Sequence, residues 1–428
     1  MRASISILAR GAAALLALLA AAALCGCTNP IAEPPIVYTN RLGERAVELA
    51  MAMPRADQAA VALKDGRVLI CGGTFNGEID GVTPSAEIYD PLTHRFTPTG
   101  SMSVARMGQT ATLLNDGRVL IAGGVENFGF RSELASAELY DPASRRFVPT
   151  GSMSVEREGH TATLLRDGRV LVAGGSDNGA HTLSSAEIYD PETGRWRLTG
   201  RMNVPREAQV AVRLGSGQVL MAAGGRGDMP GGYIAYQNAE IFDPGAGKFH
   251  SLAARMKSDR VGAAAVLLGD GRALIVGGKT GRILIGFHAQ SLYWFTPLNT
   301  AEIFDPETAT FTATLPMREP HYLAVATMLP GGDVLITGGW LMNGPVIGGM
   351  TDAEVFIPGL PGSFASVAPL HVARLQNTAT ELPGGEVLIA GGFDAQGAVT
   401  SAAEFYSPAT RSFSRAGVAA TPAPGAGK

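Results

Sequence analysis

A diglycine followed at a short distance by Ala-Glu occurs seven times in this chain, and nothing else in the sequence restricts its possible folds so strongly. The diglycines are Gly72-Gly73, Gly123-Gly124, Gly174-Gly175, Gly224-Gly225, Gly277-Gly278, Gly338-Gly339 and Gly391-Gly392, lying 51, 51, 50, 53, 61 and 53 residues apart. The glutamates are Glu87, Glu138, Glu187, Glu240, Glu302, Glu354 and Glu404. A period near fifty describes a supersecondary unit that cannot bury its own apolar face and has to stack on copies of itself.

The third copy shows the layout of a unit. Two apolar runs, His160–Leu165 and Val170–Ala173, flank Asp167-Gly168, a pair suited to a type I′ hairpin turn. A third strand, Ala186–Tyr189, ends in Asp190-Pro191. There the Asp carboxylate caps a turn, and Pro fixes φ and removes a donor. A fourth strand carries an aromatic residue: Phe96, Phe147, Trp196, Phe249, Phe311, Phe364 and Phe413 through the seven units. Four short strands per unit, seven times, predict an all-β ring of seven blades, each of four antiparallel strands.

The succession of diglycine, Ala-Glu, Tyr-Asp-Pro and Phe or Trp resembles the kelch repeat. It is also similar to the kelch-like propeller of galactose oxidase, and the resemblance spans about residues 55–416. It implies a seven-bladed kelch-type β-propeller over residues 46–416. Ile36-Val37-Tyr38, Met51 and Arg55 echo Ile88-Tyr89, Met102 and Arg106, so Ala46–Met51 is a second candidate, beside the strand ending at Arg415, for closing the ring.

The ends read differently. Arg2 and Arg10 precede an Ala/Leu run from Gly11 to Leu24, too short for a stable span and of the form of a signal-peptide core. Leu24-Cys25-Gly26-Cys27 resembles a bacterial lipobox, which implies cleavage after residue 26 and a lipid on Cys27. The expected mature chain of 402 residues has a tether over 27–45, a disordered tail over 417–428 and a place in the cell envelope. Thr28 after the cysteine favours the outer membrane. Such a lipid anchors and does not span. Only Cys71 remains besides the lipid site, so no intramolecular disulfide is expected. A net charge of −4 without basic runs argues against nucleic acid, and a monomer is expected.

Antiparallel order sorts the loops onto two faces. The Asp-Gly and Asp-Pro turns share one, which reads as structural. The loops between second and third strands and the links between blades share the other, and they carry all the length variation. Binding sites are built from variable loops on rigid scaffolds. The longest loop, Lys279–Thr300, contains His288, Tyr293, Trp294 and Phe295, apolar mass that suits either a recognition lip or a hairpin packed on the neighbouring blade.

Seventeen residues before the first glycine of a diglycine stand Arg55, Arg106, Arg157, Arg260 and Arg374, with His321 in the sixth unit. Arg206 joins the set if the strand Val219–Ala223 carries one extra residue. The kelch resemblance implies that such residues ring the channel entrance as an anion-binding site. The seven repeat glutamates offer a second reading, ion pairs reaching across blade boundaries.

Catalytic motifs are sparse. The chain has no H-E-x-x-H and no C-x-x-C. The galactose oxidase resemblance would imply copper held by two Tyr and two His beside a Cys–Tyr crosslink. Yet one available cysteine and seven scattered histidines do not supply that set, so no cofactor or metal is expected. Kelch propellers acting as sugar mutarotases or epimerases supply an alternative, with His321, Glu158, Glu207 and Glu319 as acid–base candidates. The reading adopted is a binding or scaffold module for a protein or glycan.

Overall fold

Each repeat folds into one antiparallel sheet because every unit has an apolar second strand that can be covered on both faces only by neighbouring blades. The computed structural model describes residues 37–39, 45–78, 81–127, 132–179, 181–229, 232–285, 291–340 and 348–419. The first blade comprises Ala59–Ala62, Val68–Cys71, Ala86–Asp90 and Arg95–Pro98 in sheet order. The second strands, such as Val119–Ala122 and Val387–Ala390, are buried at every position. Fourth strands such as Arg95–Pro98 are exposed except at the half-buried aromatic. The innermost strands touch in cyclic order, the first blade's against the seventh's, which makes a closed seven-bladed β-propeller. Among the described residues there is no helix.

The core lies between blades. Val68, Ile70 and Tyr89 of the first blade pack with Leu382, Leu388 and Phe405 of the seventh, and comparable clusters fill the other joints. The repeating aromatics meet across the third and fourth strands, as Tyr89–Phe96 at 5.0 Å, Tyr189–Trp196 at 4.9 Å and Tyr406–Phe413 at 5.1 Å between ring centroids. Tyr140 and Tyr189 place their hydroxyls 2.8 Å from Thr99 and Thr150 of the preceding blade.

Three local expectations are corrected. The Asp-Gly turns are not type I′, since only the glycine has positive φ (Gly66 at 86°). Gly66 N–H donates to Leu63 O and Leu63 N–H to Arg67 O, so the loop is a type I turn over Lys64-Asp65 followed by a left-handed glycine bulge. Asp65 accepts from the Arg67 N–H and side chain. The Asp-Pro turns are capped as expected, with Leu92 N–H donating to Asp90 Oδ1 at 2.8 Å.

In the fourth blade the strand Val219–Ala223 carries no extra residue. Ala223, at φ 59°, occupies the first-glycine position and Gly224, at φ 81°, the second. Gly225 belongs to the excursion beyond, and the Arg206 Nη1 donates to Ala223 O at 2.8 Å.

The third concerns the start of the tail, and with it closure, for which the sequence leaves two candidates. All four strands of the seventh blade come from its own repeat, ending in Ser412–Ser414. Ala416–Ala419, of which 417–419 were expected in a disordered tail, is a strand paired with Arg45–Glu48, which in turn pairs with Val37–Thr39. Leu49–Met51 then supplies the link that the other blades make for themselves. Ala403 N–H donates to Leu49 O and Met51 N–H to Ser401 O, as Met102 N–H donates to Pro84 O. Met51 is buried like Met102 and Met153. The residues of the tail beyond 419, the signal segment and Cys27 lie outside the described residues.

Cys71 is fully buried in the second strand of the first blade, and burial pushes its thiol up to about 12. We expect no alkylation of Cys71 by iodoacetamide at pH 8 in the folded protein and complete alkylation in denaturant, read by peptide mass spectrometry.

Candidate functional site

The arginine set forms a structural layer inside the blades. Arg55 is 1% exposed, and Arg106, Arg157, Arg206, Arg260 and Arg374 are 0% exposed. Arg157 shows the common arrangement. Its Nη1 donates to Gly174 O and Ser185 O, and its Nη2 donates to Ser185 Oγ and to Glu187 Oε1 at 2.9 Å. The guanidinium thus ties the end of the second strand to the start of the third. The glutamate also accepts Ser154 N–H at 2.7 Å and Val155 N–H at 3.3 Å from the incoming link.

Each arginine therefore pairs with the glutamate of its own repeat, not across a blade boundary. The pairs Arg55–Glu87, Arg106–Glu138, Arg206–Glu240, Arg260–Glu302 and Arg374–Glu404 span 2.9 to 3.2 Å. In the sixth blade His321 donates from Nδ1 to Gly338 O and stands 3.7 Å from Glu354. Burial would raise Glu404, but the Arg374 charge and hydrogen bonds from His371 outweigh it and leave the carboxyl below its ordinary range. These seven side chains are turned into the protein, so no ring of open arginines faces a ligand.

Blade boundaries are stitched elsewhere. Gln58, Gln109 and Gln209 donate from Nε2 to Ala390 O, Cys71 O and Ala173 O of the preceding blade. His160 holds the same position against Gly123, and burial depresses it to about 3, so it stays neutral. The backbone there is equally constrained. Asp57, Gly108, Gly159, Ala208, Gly262, Leu323 and Gln376 all have positive φ, between 47° and 63°. Gly108 N–H donates to Asp57 O, Ala208 to Gly159, Gly262 to Ala208, Leu323 to Gly262, and Asp57 to Gln376. Backbone bonds thus bridge five of the seven pairs of neighbouring links, forming a partial collar around the channel on the variable-loop face.

Asp57 is the single acidic residue in that collar. Its side chain is half-buried, and loss of hydration raises the carboxyl from 3.8 to about 6. The folded state then binds the proton more tightly than the unfolded chain. The stability change linked to this group is a loss as pH rises from about 4 to about 6. Asp57→Asn is expected to melt higher than the parent at pH 8 and level with it below pH 4, in thermal scans at both values.

Most of the length variation gathers over the fourth to sixth blades. The fourth blade's second strand continues to Met229 and pairs with Gly232–Ala235. Lys279–Ile285 and Ser291–Pro297 form a hairpin, and Ile234 pairs with Arg282. The two excursions thereby join into one seven-stranded sheet across the joint. Tyr293, Trp294 and Phe295 lie on the returning strand of that hairpin; His288 lies outside the described residues.

Around the start of the hairpin lie four buried polar side chains, of which the sequence pattern singled out only Glu207. Glu207, Tyr233, Lys279 and Tyr322 are all at most 5% exposed. The Lys279 ammonium stands 4.3 Å from the Tyr322 ring centroid, and Tyr322 packs on Trp340 at 6.0 Å. Burial, helped by the Glu207 charge, holds the Tyr233 and Tyr322 phenols well above their ordinary range. Burial lowers Lys279 to about 8. Glu207 was a candidate from its place on a blade link; Lys279 gave a weaker signal, a lone lysine where other units carry Thr74, Val125, Ser176, Trp340 and Phe393.

Among the described residues no three His, Cys, Asp or Glu side chains converge. Two buried tyrosines without paired histidines, and a Cys71 confined to a blade core, do not fit the copper site of galactose oxidase.

The fold and this layout define a seven-bladed propeller of stitched repeats with its variation on one face. The kelch motif model matches residues 55–103 and 160–203, and the chain is a kelch-type β-propeller. It is 32% identical over 117 residues to spermatocyte protein spe-26 of Caenorhabditis elegans, a match covering 26% of this chain and 20% of that one. It is 26% identical over 142 residues to kelch-like protein 36 of Mus musculus, covering 33% and 22%. The chain thus matches about a fifth of the length of these relatives. A fungal alcohol oxidase of the AA5 family, solved in complex with copper, superposes with TM-score 0.64 and 17% identity over 83% of this chain and 75% of that one. The structure of YjhT gives TM-score 0.56 and 14% identity over 74% and 99%. At these identities the likeness is one of fold.

Proposed function

We propose that this propeller is a non-catalytic binding module of the bacterial cell envelope, anchored through a lipid on Cys27, that recognises a protein or glycan with its variable-loop face. One observation carries the reading. The excursions of the fourth and fifth blades join in a single sheet standing on the variable-loop face, while the arginine–glutamate layer below is committed to holding the blades. The kelch motif matches and the kelch-like relative support a protein partner.

The test is capture from envelope extract with the full-length protein beside a variant in which residues 282–295 are cut to a two-residue turn. Loss of a partner on shortening is the expected result; equal capture by both forms would move the site elsewhere. For the anchor, Cys27→Ser is expected to leave the membrane fraction, and unchanged fractionation would remove the lipid from the reading.

The alternative of a mutarotase- or epimerase-like activity draws on Glu207, whose charge acts on Tyr233 and Tyr322. A sugar-anomerisation assay by NMR separates the two readings, with Glu207→Gln abolishing turnover only in the second. His321 and its hydrogen bond to Gly338 O take no part in it.

A further inference from the structure

The blades end in short outer strands. Each has three or four residues, from Arg95–Pro98 in the first blade to Ser412–Ser414 in the seventh. Arg95, Arg146, Arg195 and Lys248 open four of them and are exposed. Short length and an edge cation are what keep a sheet edge from pairing with another chain.

The sheet that joins the fourth and fifth blades departs from this at one end. It starts at Lys248–Ser251, an ordinary short edge, and finishes at Ser291–Pro297. That last strand is seven residues long, SLYWFTP, and has no charged residue. It pairs along its whole length with Lys279–Ile285, from Lys279 opposite Pro297 to Ile285 opposite Ser291. Among the described residues it pairs with no other strand. Alternate residues of an antiparallel strand turn their N–H and C=O away from the partner, so this edge has a row of backbone groups facing outward. Its Leu, Tyr, Trp, Phe and Thr residues suit an extended, pleated backbone. Pro297, which lacks an N–H, stands last, where it interrupts no interior bond.

We propose that Ser291–Pro297 is a dimerisation strand, pairing antiparallel with the same strand of a second copy across a two-fold axis at Trp294. The strand is self-complementary in that register. Reversal about Trp294 sets Trp294 opposite itself, Tyr293 opposite Phe295 and Leu292 opposite Thr296, and no like charges meet. Directly opposed aromatic pairs stabilise a sheet, and directly opposed like charges weaken it. The contact closes on itself, and the other end of the sheet is short and charged, so association stops at two. Seven residues extend about 23 Å, a smaller contact than a standard stable interface, and the dimer is expected to dissociate in the micromolar range. The monomer expected from the sequence would then hold only in dilute solution. This inference does not rest on the partner proposed above: purified protein alone tests it, and a monomer would leave that reading standing.

The experiment places single cysteines in the purified full-length protein, as Trp294→Cys and Leu292→Cys. Across the two-fold axis residue 294 stands about 5 Å from its counterpart, within reach of a disulfide, whereas residue 292 stands about 14 Å from its own. After oxidation with copper–phenanthroline, peptide mass spectrometry is expected to find the intermolecular bridge at least tenfold more abundant for Trp294→Cys than for Leu292→Cys. In sedimentation velocity over a concentration series the parent is expected to move from monomer toward dimer. Trp294→Lys, checked for an unchanged melting temperature, is expected to remain monomeric, and the uncharged, strand-forming Trp294→Thr to fall between the two. A parent that stays monomeric at every concentration, equal bridging at both positions, or a dimer that survives in Trp294→Lys would overturn the proposal.

Discussion

Arg157→Ala is expected to lower the unfolding free energy by about 3–5 kcal/mol, the range for breaking a buried ion pair by removing one partner. The substitution deletes four donated bonds. It leaves the Glu187 carboxylate, fully buried, with only the link amides of Ser154 and Val155. Arg157→Lys should recover little, because one ammonium cannot span Gly174 O, Ser185 and Glu187 as the planar fork does. Replacing both partners, as Arg157→Met with Glu187→Leu, should recover part of the loss by removing the stranded charge. Its shortfall would measure what the guanidinium contributes to the two carbonyls. Urea unfolding at pH 7 reads all three. A parent-like midpoint for Arg157→Ala would mean that the pair is dispensable and that its burial offsets its attraction.

The second large effect is predicted at the diglycines. Gly72→Ala is expected to cost about 3 kcal/mol or more, combining overpacking with a left-handed backbone for a residue carrying Cβ. The new atom would stand 2.4 Å from both Arg106 O and Gln109 Nε2 of the next blade, at φ 69°. Both contacts are fixed, since Gly73 N–H donates to Arg106 O and Gln109 donates to Cys71 O. Ala223 is the internal control. It takes the same position in the fourth blade at φ 59°, and the next blade there carries Ala263 in a row that also holds Gln58, Gln109, His160, Gln209, Ala324 and Asn377. The fourth blade carries a methyl group at this position, whereas a Cβ at Gly277, which also faces an alanine, would stand 2.2 Å from His321 O. Ala223→Gly is therefore expected to change stability by less than about 1 kcal/mol, and a loss as large as that of Gly72→Ala would refute the steric account.

The sequence alone determined the number of blades, the four strands of each and the face on which variation collects. These follow from chemistry that acts over a few residues. Glycine is required where φ is positive and backbones approach, Asp-Pro caps a turn, and alternating apolar residues build a two-sided strand. Met51 and Arg55 were legible as an echo of Met102 and Arg106 for the same reason. A one-dimensional repeat pattern also located every member of the arginine and glutamate sets.

What the pattern could not fix was which way those side chains turn and what they meet. The arginines were placed at a channel entrance, and an ion-pair reading was drawn across blade boundaries. Only the tertiary fold put each guanidinium inside its own blade, because the end of the second strand and the start of the third present carbonyls at the reach of one fork. Closure depended on the same level of structure: Ser412–Ser414 and Leu49–Met51 take different places, which no local preference distinguishes. Lys279 and Tyr322 come from segments distant in sequence, and the ring brings the Lys279 ammonium over the Tyr322 ring. Their proximity is a property of the ring, since contacts between repeats depend on how the blades pack, and no single repeat contains them.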